Sequence, residues 1–349
     1  MLSDIGQQPE VLERSLREGA PEIAAAGELI RRSAPELIVI AARGSSAYAG
    51  TYARSLIEST LGIPVVRAAP VVETTYRRTV DWKHAVLIAI SQSGGGPDVQ
   101  AVVAGAAAAG IPTIAITNDT SSGLAQAADL VVPCRAGPEA ITATKSYVAE
   151  VALLAALVAS WTGDAALAEG LGRTPSAVAA AIADGTAWLD HGSGADLVDA
   201  LAAAHGALVV SRGSNLATAR EVALKLTETS GFFASGVSAA DFLHGFVVLA
   251  TDGVPLLAFR PDGPAGPSVD RALERARSYG ARQWVVGGHE MAARPGGPAG
   301  DLALAFDLPE VLSPLPFVVP GQLLAERVAG RRGRDPDRPV GLVKVIQTL

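Results

Sequence analysis

The sequence predicts an α/β protein made of two doubly wound lobes, each with a parallel sheet between helices. Apolar strand-like segments alternate with helical ones along the chain, an order typical of a parallel sheet that is covered on both faces. The segment Ile40–Ser46, IAARGSS, recurs 169 residues later as Val209–Asn215, VVSRGSN. The same offset carries Leu87–Ile90 onto Leu256–Phe259. We therefore infer an internal duplication.

The elements of the first lobe are predicted from apolar runs. Short apolar runs are typical of buried parallel strands, and longer periodic ones of helices. In chain order we expect a helix over 8–33, a strand over Leu37–Ala42, a helix over 46–60, a strand over 86–91, a helix over 98–109, strands over Ile111–Thr117 and Leu130–Val132, and a helix over Lys145–Trp161. An alanine-rich stretch follows and is predicted to form packed linker helices. This gives a first domain over 1–164, a linker over 165–204 and a second domain over 205–349.

Length, charge and composition limit the class of protein. A chain of 349 residues is expected to form about two domains. The net charge of −7 gives no electrostatic reason to expect a nucleic-acid partner. No uncharged apolar run reaches the ~20 residues that cross a bilayer. The first residues, Met1–Asp4, show no basic region leading into an apolar one, so we expect a cytoplasmic protein without a secretory signal.

Cysteine and histidine usage argues against a metal or disulfide centre. The single cysteine, Cys134, excludes an internal disulfide and a thiolate cluster, and we interpret it as a passive residue at a strand end. The five histidines are dispersed without metal-ligand spacing. No cofactor is expected.

The most informative segment is the turn Ser91–Asp98, SQSGGGPD, which follows an apolar strand. Ser91, Gln92 and Ser93 offer two hydroxyls and an amide, and Pro97 is well placed to open a helix. Such a turn, with free N–H groups at a helix N-terminus, favours an anion. It is neither a P-loop nor a G-x-G-x-x-G turn, so the motif alone leaves phosphate binding and a merely tight turn as alternatives.

The two copies of the repeat differ at this turn. Arg260–Asp262 stands in the second copy where the hydroxyl-bearing residues stand in the first, so we predict one phosphate site per chain. Both Arg-Gly-Ser turns lie at carboxyl ends of predicted strands, where open α/β sheets bind ligands. Ser45 and Ser46 are interpreted either as caps of the helix over 46–60 or as sugar contacts.

The second lobe carries the acid–base candidates. Glu221, Lys225 and Glu228 recur at helical spacing and share one helix face. The alternative interpretation is an ordinary solvated face with an exposed ion pair. Sixteen residues further lies His244, followed by Gly245, and a histidine can donate and accept protons near neutrality.

Taken together, these motifs resemble tandem SIS (sugar isomerase) domains. The resemblance extends over nearly all of residues 30–349, and the motifs keep their order and approximate spacing. The matching segments are the Ser-Gln-Ser-Gly turn, the two Arg-Gly-Ser turns, Ala223–Glu228, Leu243–Gly245 and the tail Pro339–Lys344. The similarity is greatest to the isomerase half of glucosamine-6-phosphate synthase and its stand-alone relatives, and implies flavodoxin-like lobes.

The resemblance implies roles for individual residues in phosphate binding and closure. Ser91, Gln92 and Ser93 match the residues that hold the sugar phosphate, and Gly44 and Ser45 match contacts to the sugar or its phosphate. The segment Glu139–Lys145, with Thr144, matches the loop that closes over the substrate.

The resemblance also implies the catalytic groups. Glu228 matches the base that moves a proton between C1 and C2, and Lys225 a supporting lysine. His244 matches the group that opens the pyranose ring and, in relatives, reaches the site from the neighbouring subunit, which implies a homodimer with shared sites. Lys344 matches a lysine at the sugar carbonyl end.

Three positions depart from the family pattern. Gly96 stands where relatives usually carry Ser or Thr, so one phosphate hydroxyl is missing. The loop Glu139–Lys145 is one residue short. Phe246 stands where a proline usually follows the His-Gly pair, next to His244.

The chemistry expected from these residues is proton transfer on an opened amino sugar phosphate. A carboxylate moves the proton between adjacent carbons, and a remote phosphate clamp supplies binding energy and orientation. Because Leu2 follows Met1 and only about one helix precedes the first strand, we expect no built-in ammonia source and therefore deamination of glucosamine 6-phosphate. The alternatives are a fructosamine-6-phosphate deglycase, an aldose–ketose isomerase and a non-catalytic sugar-phosphate sensor.

Overall fold

The computed structural model describes residues 1–251, 253–292 and 301–344, which form two compact units. We name the N-lobe the unit that contains residues 10–139, 143–172 and 343–344. The C-lobe contains residues 1–9, 140–142 and the described residues of 173–342.

A five-stranded, entirely parallel sheet forms the centre of the N-lobe, with strand order β2-β1-β3-β4-β5. The strands are β1 (Leu37–Ala42), β2 (Val65–Arg67), β3 (Ala85–Ser91), β4 (Thr113–Thr117) and β5 (Leu130–Pro133). The first nine helices of the chain are α1 (Leu2–Gly6), α2 (Gln8–Glu18), α3 (Ala20–Ser33), α4 (Gly44–Leu61), α5 (Val71–Thr74), α6 (Pro97–Ala108), α7 (Gly123–Ala127), α8 (Lys145–Thr162) and α9 (Ala165–Asp190). The helix α1 and the first two residues of α2 belong to the C-lobe, and α9 begins in the N-lobe and continues into the C-lobe.

The C-lobe sheet repeats the same connectivity, because its order β7-β6-β8-β9-β10 places equivalent strands at equivalent positions. All its pairings are parallel. The strands are β6 (Gly206–Ser211), β7 (Phe233–Ser238), β8 (Leu256–Arg260), β9 (Gln283–Gly287) and β10 (Leu302–Ala303). The helices are α10 (Ser193–Ala203), α11 (Leu216–Ser230), α12 (Ala239–Asp241), α13 (Val247–Ala250), α14 (Gly266–Ser278), α15 (His289–Ala292) and α16 (Pro314–Arg331), with 3₁₀ turns at Gly213–Asn215 and Glu310–Leu312 and a π turn at Phe242–Phe246.

The predicted fold class is confirmed, with two doubly wound lobes related by duplication. The strand predicted over Leu37–Ala42 has those bounds, and β6 begins 169 residues after β1. The continuous helix predicted over 8–33 is wrong, because α2 ends at Glu18 and α3 begins at Ala20. Pro21 lies in the first turn of α3 and has no N–H to donate to the preceding turn, so it starts a helix rather than continuing one.

The cores lie between each sheet and its helices. In the N-lobe, apolar side chains of β1 and β3 pack against Val99, Val102 and Val103 of α6. Helix α8 is buried along most of its length, from Lys145 to Ala159. Among the described residues, no helix is both long and apolar enough to span a bilayer.

Candidate functional site

The hydroxyl-bearing turn lies between β3 and α6, at the point where the sheet order reverses. With the order β2-β1-β3-β4-β5, the connections from β1 and β3 leave in opposite directions. Ligands of open α/β sheets bind at this switch point, outside the carboxyl ends of the strands. Helix α6 begins at Pro97 as predicted, so its N-terminus opens at the same place.

Within the turn, the serine hydroxyls organise the backbone. Ser91 Oγ accepts a hydrogen bond from the N–H of Gly94 at 3.1 Å, and Ser93 Oγ accepts one from the N–H of Gly95 at 3.2 Å. The N-cap of α6 is Gly96, which has no side chain to cap this helix end, and in the first turn Asp98 Oδ1 accepts from the N–H of Val99 at 2.9 Å. Each hydroxyl still carries an O–H donor, so the turn presents neutral donors and a helix N-terminus, a combination that suits an anion.

Gly94 is required by the shape of this turn. Its φ of +60° lies in the left-handed region, and a Cβ there would lie 2.5 Å from Cβ of Ser122. Its carbonyl accepts hydrogen bonds from Gln100 Nε2 at 2.7 Å and from the N–H of Leu124 at 3.2 Å. The turn is thus fixed to α6 and α7 on both sides.

An ion pair connects this turn to the first Arg-Gly-Ser turn. Arg43 Nε donates to Asp98 Oδ2 at 2.7 Å, and the Arg43 side chain is 52% exposed whereas that of Asp98 is 4% exposed. Ala42 pairs with Ile90 across β1 and β3, so Arg43 stands next to Ser91 at the sheet edge. Sequence reasoning missed this pair. The signal was present, since an arginine begins both copies of the Arg-Gly-Ser turn.

The capping interpretation of Ser45 and Ser46 is wrong. Helix α4 begins at Gly44, so both serines lie inside its first turn, and the N-cap residue is Arg43 without a side-chain cap bond. Ser46 Oγ instead donates to Oε1 of the buried Glu150 at 2.9 Å. Ser46 therefore ties α4 to α8.

The loop that precedes α8 is held by Glu139. Its carboxylate accepts from the N–H groups of Thr144 and Ser146 at 2.8 and 2.9 Å, and from Ser146 Oγ at 2.5 Å. A carboxylate at a helix N-terminus is favoured by the helix dipole. Lys344 donates to the backbone oxygen of Glu139, and Lys145 is buried. The structure thus brings Glu139 and Thr144 of the proposed closing loop together with Lys344 of the tail.

In the C-lobe, three charged side chains, Glu221, Lys225 and Glu228, lie along one face of α11, and two of them are buried. Lys225 Nζ lies 2.5 Å from Glu228 Oε2 and 3.6 Å from Glu221 Oε1. The side chains of Lys225 and Glu221 are 1% and 0% exposed, and that of Glu228 is 21% exposed. The alternative of a solvated face is therefore wrong, because α11 packs against α16 and β7. Only Glu228 offers its carboxylate to the surface.

His244 lies in the π turn Phe242–Phe246 and is exposed. Around it, three large apolar side chains are also exposed, Leu243, Phe246 and, at 64%, Val248. Large apolar side chains grouped at a surface are typical of sites of association.

The C-lobe segment equivalent to the hydroxyl-bearing turn Ser91–Asp98 carries charged side chains instead of serine hydroxyls. Arg260 at the end of β8 is buried, and its guanidinium lies 3.4, 3.2 and 2.7 Å from carboxylate oxygens of Asp262, Asp270 and Glu290. Burial lowers the pKa of Arg260, but the bonds and charges of Asp270 and Glu290 outweigh that effect and raise the pKa above its usual value. Three carboxylates around one cation do not favour an anionic ligand.

The surroundings of the single cysteine are those of a passive residue. Cys134 is buried, and burial raises the pKa of its thiol well above the usual value, as for an unreactive residue. Within residues 1–251, 253–292 and 301–344, no group of three or more His, Cys, Asp or Glu side chains is placed to hold a metal.

Comparisons with known proteins agree with this architecture. The SIS domain model matches residues 32–160 and 200–286. The isomerizing glutamine–fructose-6-phosphate aminotransferase of Thermococcus kodakarensis is 31% identical over 99% of this chain and 57% of its own length. The same enzyme of Symbiobacterium thermophilum is 32% identical over 99% of this chain and 58% of its own length. The chain thus spans less than two thirds of the length of these curated relatives.

Two solved structures are matched over nearly their whole length. A candidate phosphosugar isomerase from Silicibacter pomeroyi is 30% identical with a TM-score of 0.85, covering 96% of this chain and 98% of that one. The C-terminal domain of glucosamine-fructose-6-phosphate aminotransferase from Francisella tularensis is 22% identical with a TM-score of 0.82, covering 97% and 98%. At 22% identity, the similarity to the Francisella tularensis structure shows a shared fold and nothing further.

Proposed function

The chain belongs to the SIS domain family, and on that basis we propose that it is a sugar-phosphate isomerase that deaminates glucosamine 6-phosphate. The products are fructose 6-phosphate and ammonia. The observation that carries the proposal is the carboxylate of Glu228, which is partly exposed and bonded at 2.5 Å to the buried Lys225. A base must reach its carbon acid and be held in one position. The partial exposure of Glu228 and its bond to Lys225 support that role.

The phosphate is proposed to bind at the turn Ser91–Gly96 of the N-lobe. The hydroxyls of Ser91 and Ser93, the Gln92 amide and the open N-terminus of α6 supply donors there. Hydrogen bonds to an ionised phosphate are stronger than those between neutral groups. Binding energy at the phosphate can orient the distant reacting carbons.

The proposed reaction begins with the opened amino sugar, whose C1 is an aldehyde and whose C2 carries the amine. Glu228 removes the C2 proton, and an enolamine forms. Return of a proton to C1 leaves an imine at C2. Water adds to the imine carbon. The C2–N bond then breaks with its electron pair on nitrogen, ammonia leaves, and C2 becomes the ketone of fructose 6-phosphate. His244 is proposed to open the ring, and Lys344 to lie at the sugar carbonyl.

Chemistry on an amino sugar phosphate is supported by the names of the relatives. They are isomerizing aminotransferases of fructose 6-phosphate, and the deamination that we propose runs between an amino sugar phosphate and the same ketose phosphate. We further propose a homodimer in which His244 of one copy serves its partner, because exposed Leu243, Phe246 and Val248 suit a two-fold interface that uses the same patch twice.

A coupled assay tests the proposal. Ammonia and fructose 6-phosphate are measured together against glucosamine 6-phosphate, fructosamine 6-phosphates and simple aldose phosphates. We expect equal release of both products from glucosamine 6-phosphate, and at least a ~100-fold lower kcat for Glu228→Gln, the lower range for losing general acid–base catalysis. Turnover of aldose phosphates alone would indicate a plain isomerase. Tight binding without turnover of any substrate would indicate a sensor, and unchanged turnover in Glu228→Gln would remove this base from the mechanism.

A further inference from the structure

Arg43 occupies a distinctive position in the N-lobe. It follows β1 directly and, by the register of β1 against β3, stands beside Ser91. Its side chain is half exposed although its Nε is bonded to the buried carboxylate of Asp98. That bond uses one of the five N–H donors of the guanidinium. The cation is therefore held in place while much of it faces the surface.

The backbone around this cation leaves open space. A Cβ placed on Gly44 would meet no atom within 4 Å, and one placed on Gly96 would meet only Asp98 Oδ1, at 3.4 Å. These glycines flank the ion pair, one directly after Arg43 and the other at the N-cap of α6.

We propose that Arg43 contacts the substrate phosphate directly and determines the specificity of this site for a phosphorylated sugar. The inference rests on the proposed function, because it takes the turn Ser91–Gly96 as the phosphate site. Every other side-chain donor of the turn is neutral. A guanidinium adds a full positive charge and planar paired donors that match a phosphate. Asp98 orients the cation from behind, through Nε.

The duplication supplies an internal comparison. Arg212 stands at the equivalent of Arg43, but Pro267 replaces Asp98 and Arg260 replaces Ser91. The N-lobe copy therefore combines an arginine, a carboxylate that orients it and a neighbouring turn with serine hydroxyls, and the C-lobe copy lacks the equivalents of Asp98 and Ser91. Arg212 provides a matched control, since its substitution removes the same charge from the other copy.

The test compares Arg43→Gln, Asp98→Asn and Arg212→Gln in the full chain. Isothermal titration with inorganic phosphate measures affinity, and steady-state kinetics separates KM from kcat for glucosamine 6-phosphate. We expect Arg43→Gln to weaken phosphate binding by at least ~10-fold, as for a lost hydrogen bond to a charged group, and to raise KM similarly with kcat within about two-fold. Asp98→Asn should weaken phosphate binding much less than Arg43→Gln, because the cation is retained and the amide oxygen can still accept the bond from Arg43 Nε. Arg212→Gln should match the parent.

The two variants of the ion pair separate contact from structural support. If the pair only holds the turn, Arg43→Gln and Asp98→Asn will weaken phosphate binding alike, and that result overturns the proposal. Unchanged affinity in Arg43→Gln overturns it as well. If the parent binds phosphate but converts no amino sugar phosphate, the proposed reaction fails while the titration still decides the role of Arg43. Thermal unfolding of each variant identifies a loss of affinity that comes from misfolding.

Discussion

Replacing Gly94 with alanine should distort the phosphate turn far more than the same change at Gly96, two residues away. At Gly94 the backbone is left-handed, and the new Cβ would lie 2.5 Å from Cβ of Ser122. At Gly96 the φ is −73° and the nearest atom lies at ordinary contact distance, 3.4 Å. The two substitutions remove the same conformational freedom from the unfolded chain, so their difference reports on the folded state.

The magnitude follows from these two costs. A left-handed conformation costs an alanine about 1–2 kcal/mol, and an overpacked site typically costs about 1–3 kcal/mol more. Ser122 cannot simply turn away, because its hydroxyl donates to the carbonyl of Asp119 at 2.7 Å and accepts from the N–H of Ala125 at 3.3 Å, capping α7. We therefore expect Gly94→Ala to lower the free energy of unfolding by about 2–5 kcal/mol.

Urea unfolding followed by circular dichroism checks this prediction, with phosphate affinity measured in parallel. Because the chain has two units, it can unfold in two transitions. The quantity to compare between variant and parent is therefore the urea midpoint of the transition that the substitution shifts. Gly96→Ala should lie within about 0.5 kcal/mol of the parent, since its unfolded-state gain and its poorer N-cap largely cancel. Equal stability of the two variants would refute the assignment of Gly94 as the strained position.

Two further predictions concern the phosphate and the proposed dimer. Ser91→Ala with Ser93→Ala should raise KM for glucosamine 6-phosphate by at least ~10-fold, measured in the coupled assay; the phosphate interpretation is wrong if the parent processes unphosphorylated glucosamine equally well. Mixing inactive His244→Ala and Glu228→Gln subunits should restore roughly a quarter of the parent activity. Half of randomly mixed dimers contain one subunit of each kind, and one of the two sites in such a dimer is intact. A monomer by sedimentation, or no rescue after proven subunit exchange, would contradict shared sites.

Much of the fold could be predicted because it depends on local patterns. Buried parallel strands are continuous apolar runs, so β1 and β3 were recognisable, and the 169-residue offset revealed the second lobe. The break between α2 and α3 was missed although Pro21 signalled it. The short strand β2 (Val65–Arg67) was missed because three residues carry almost no periodicity.

The candidate site was predictable as a set of residue types but not as a set of contacts. Arg43 and Asp98 are 55 residues apart, and their bond exists only because β1 and β3 are neighbours. The row Glu221, Lys225 and Glu228 shows the same helical spacing whether it faces water or protein. Only the packing of α11 against α16 decided that two of these charges are buried, and a helical period carries no information about such a partner.

The two lobes share one backbone plan, so their different chemistry must come from side chains at the same turn. In the N-lobe, Arg43 faces one carboxylate, Asp98, and the pair is neutral. In the C-lobe, Arg260 faces three carboxylates, which leaves a formal charge of −2. A phosphate dianion is repelled by that cluster, whereas at the N-lobe turn it meets neutral hydroxyls and the guanidinium donors of Arg43 that Asp98 leaves unused. Duplication thus preserved the sheet, while substitution at a few strand-end positions gave the two turns different charges, which is why we propose that the anion binds at the N-lobe turn.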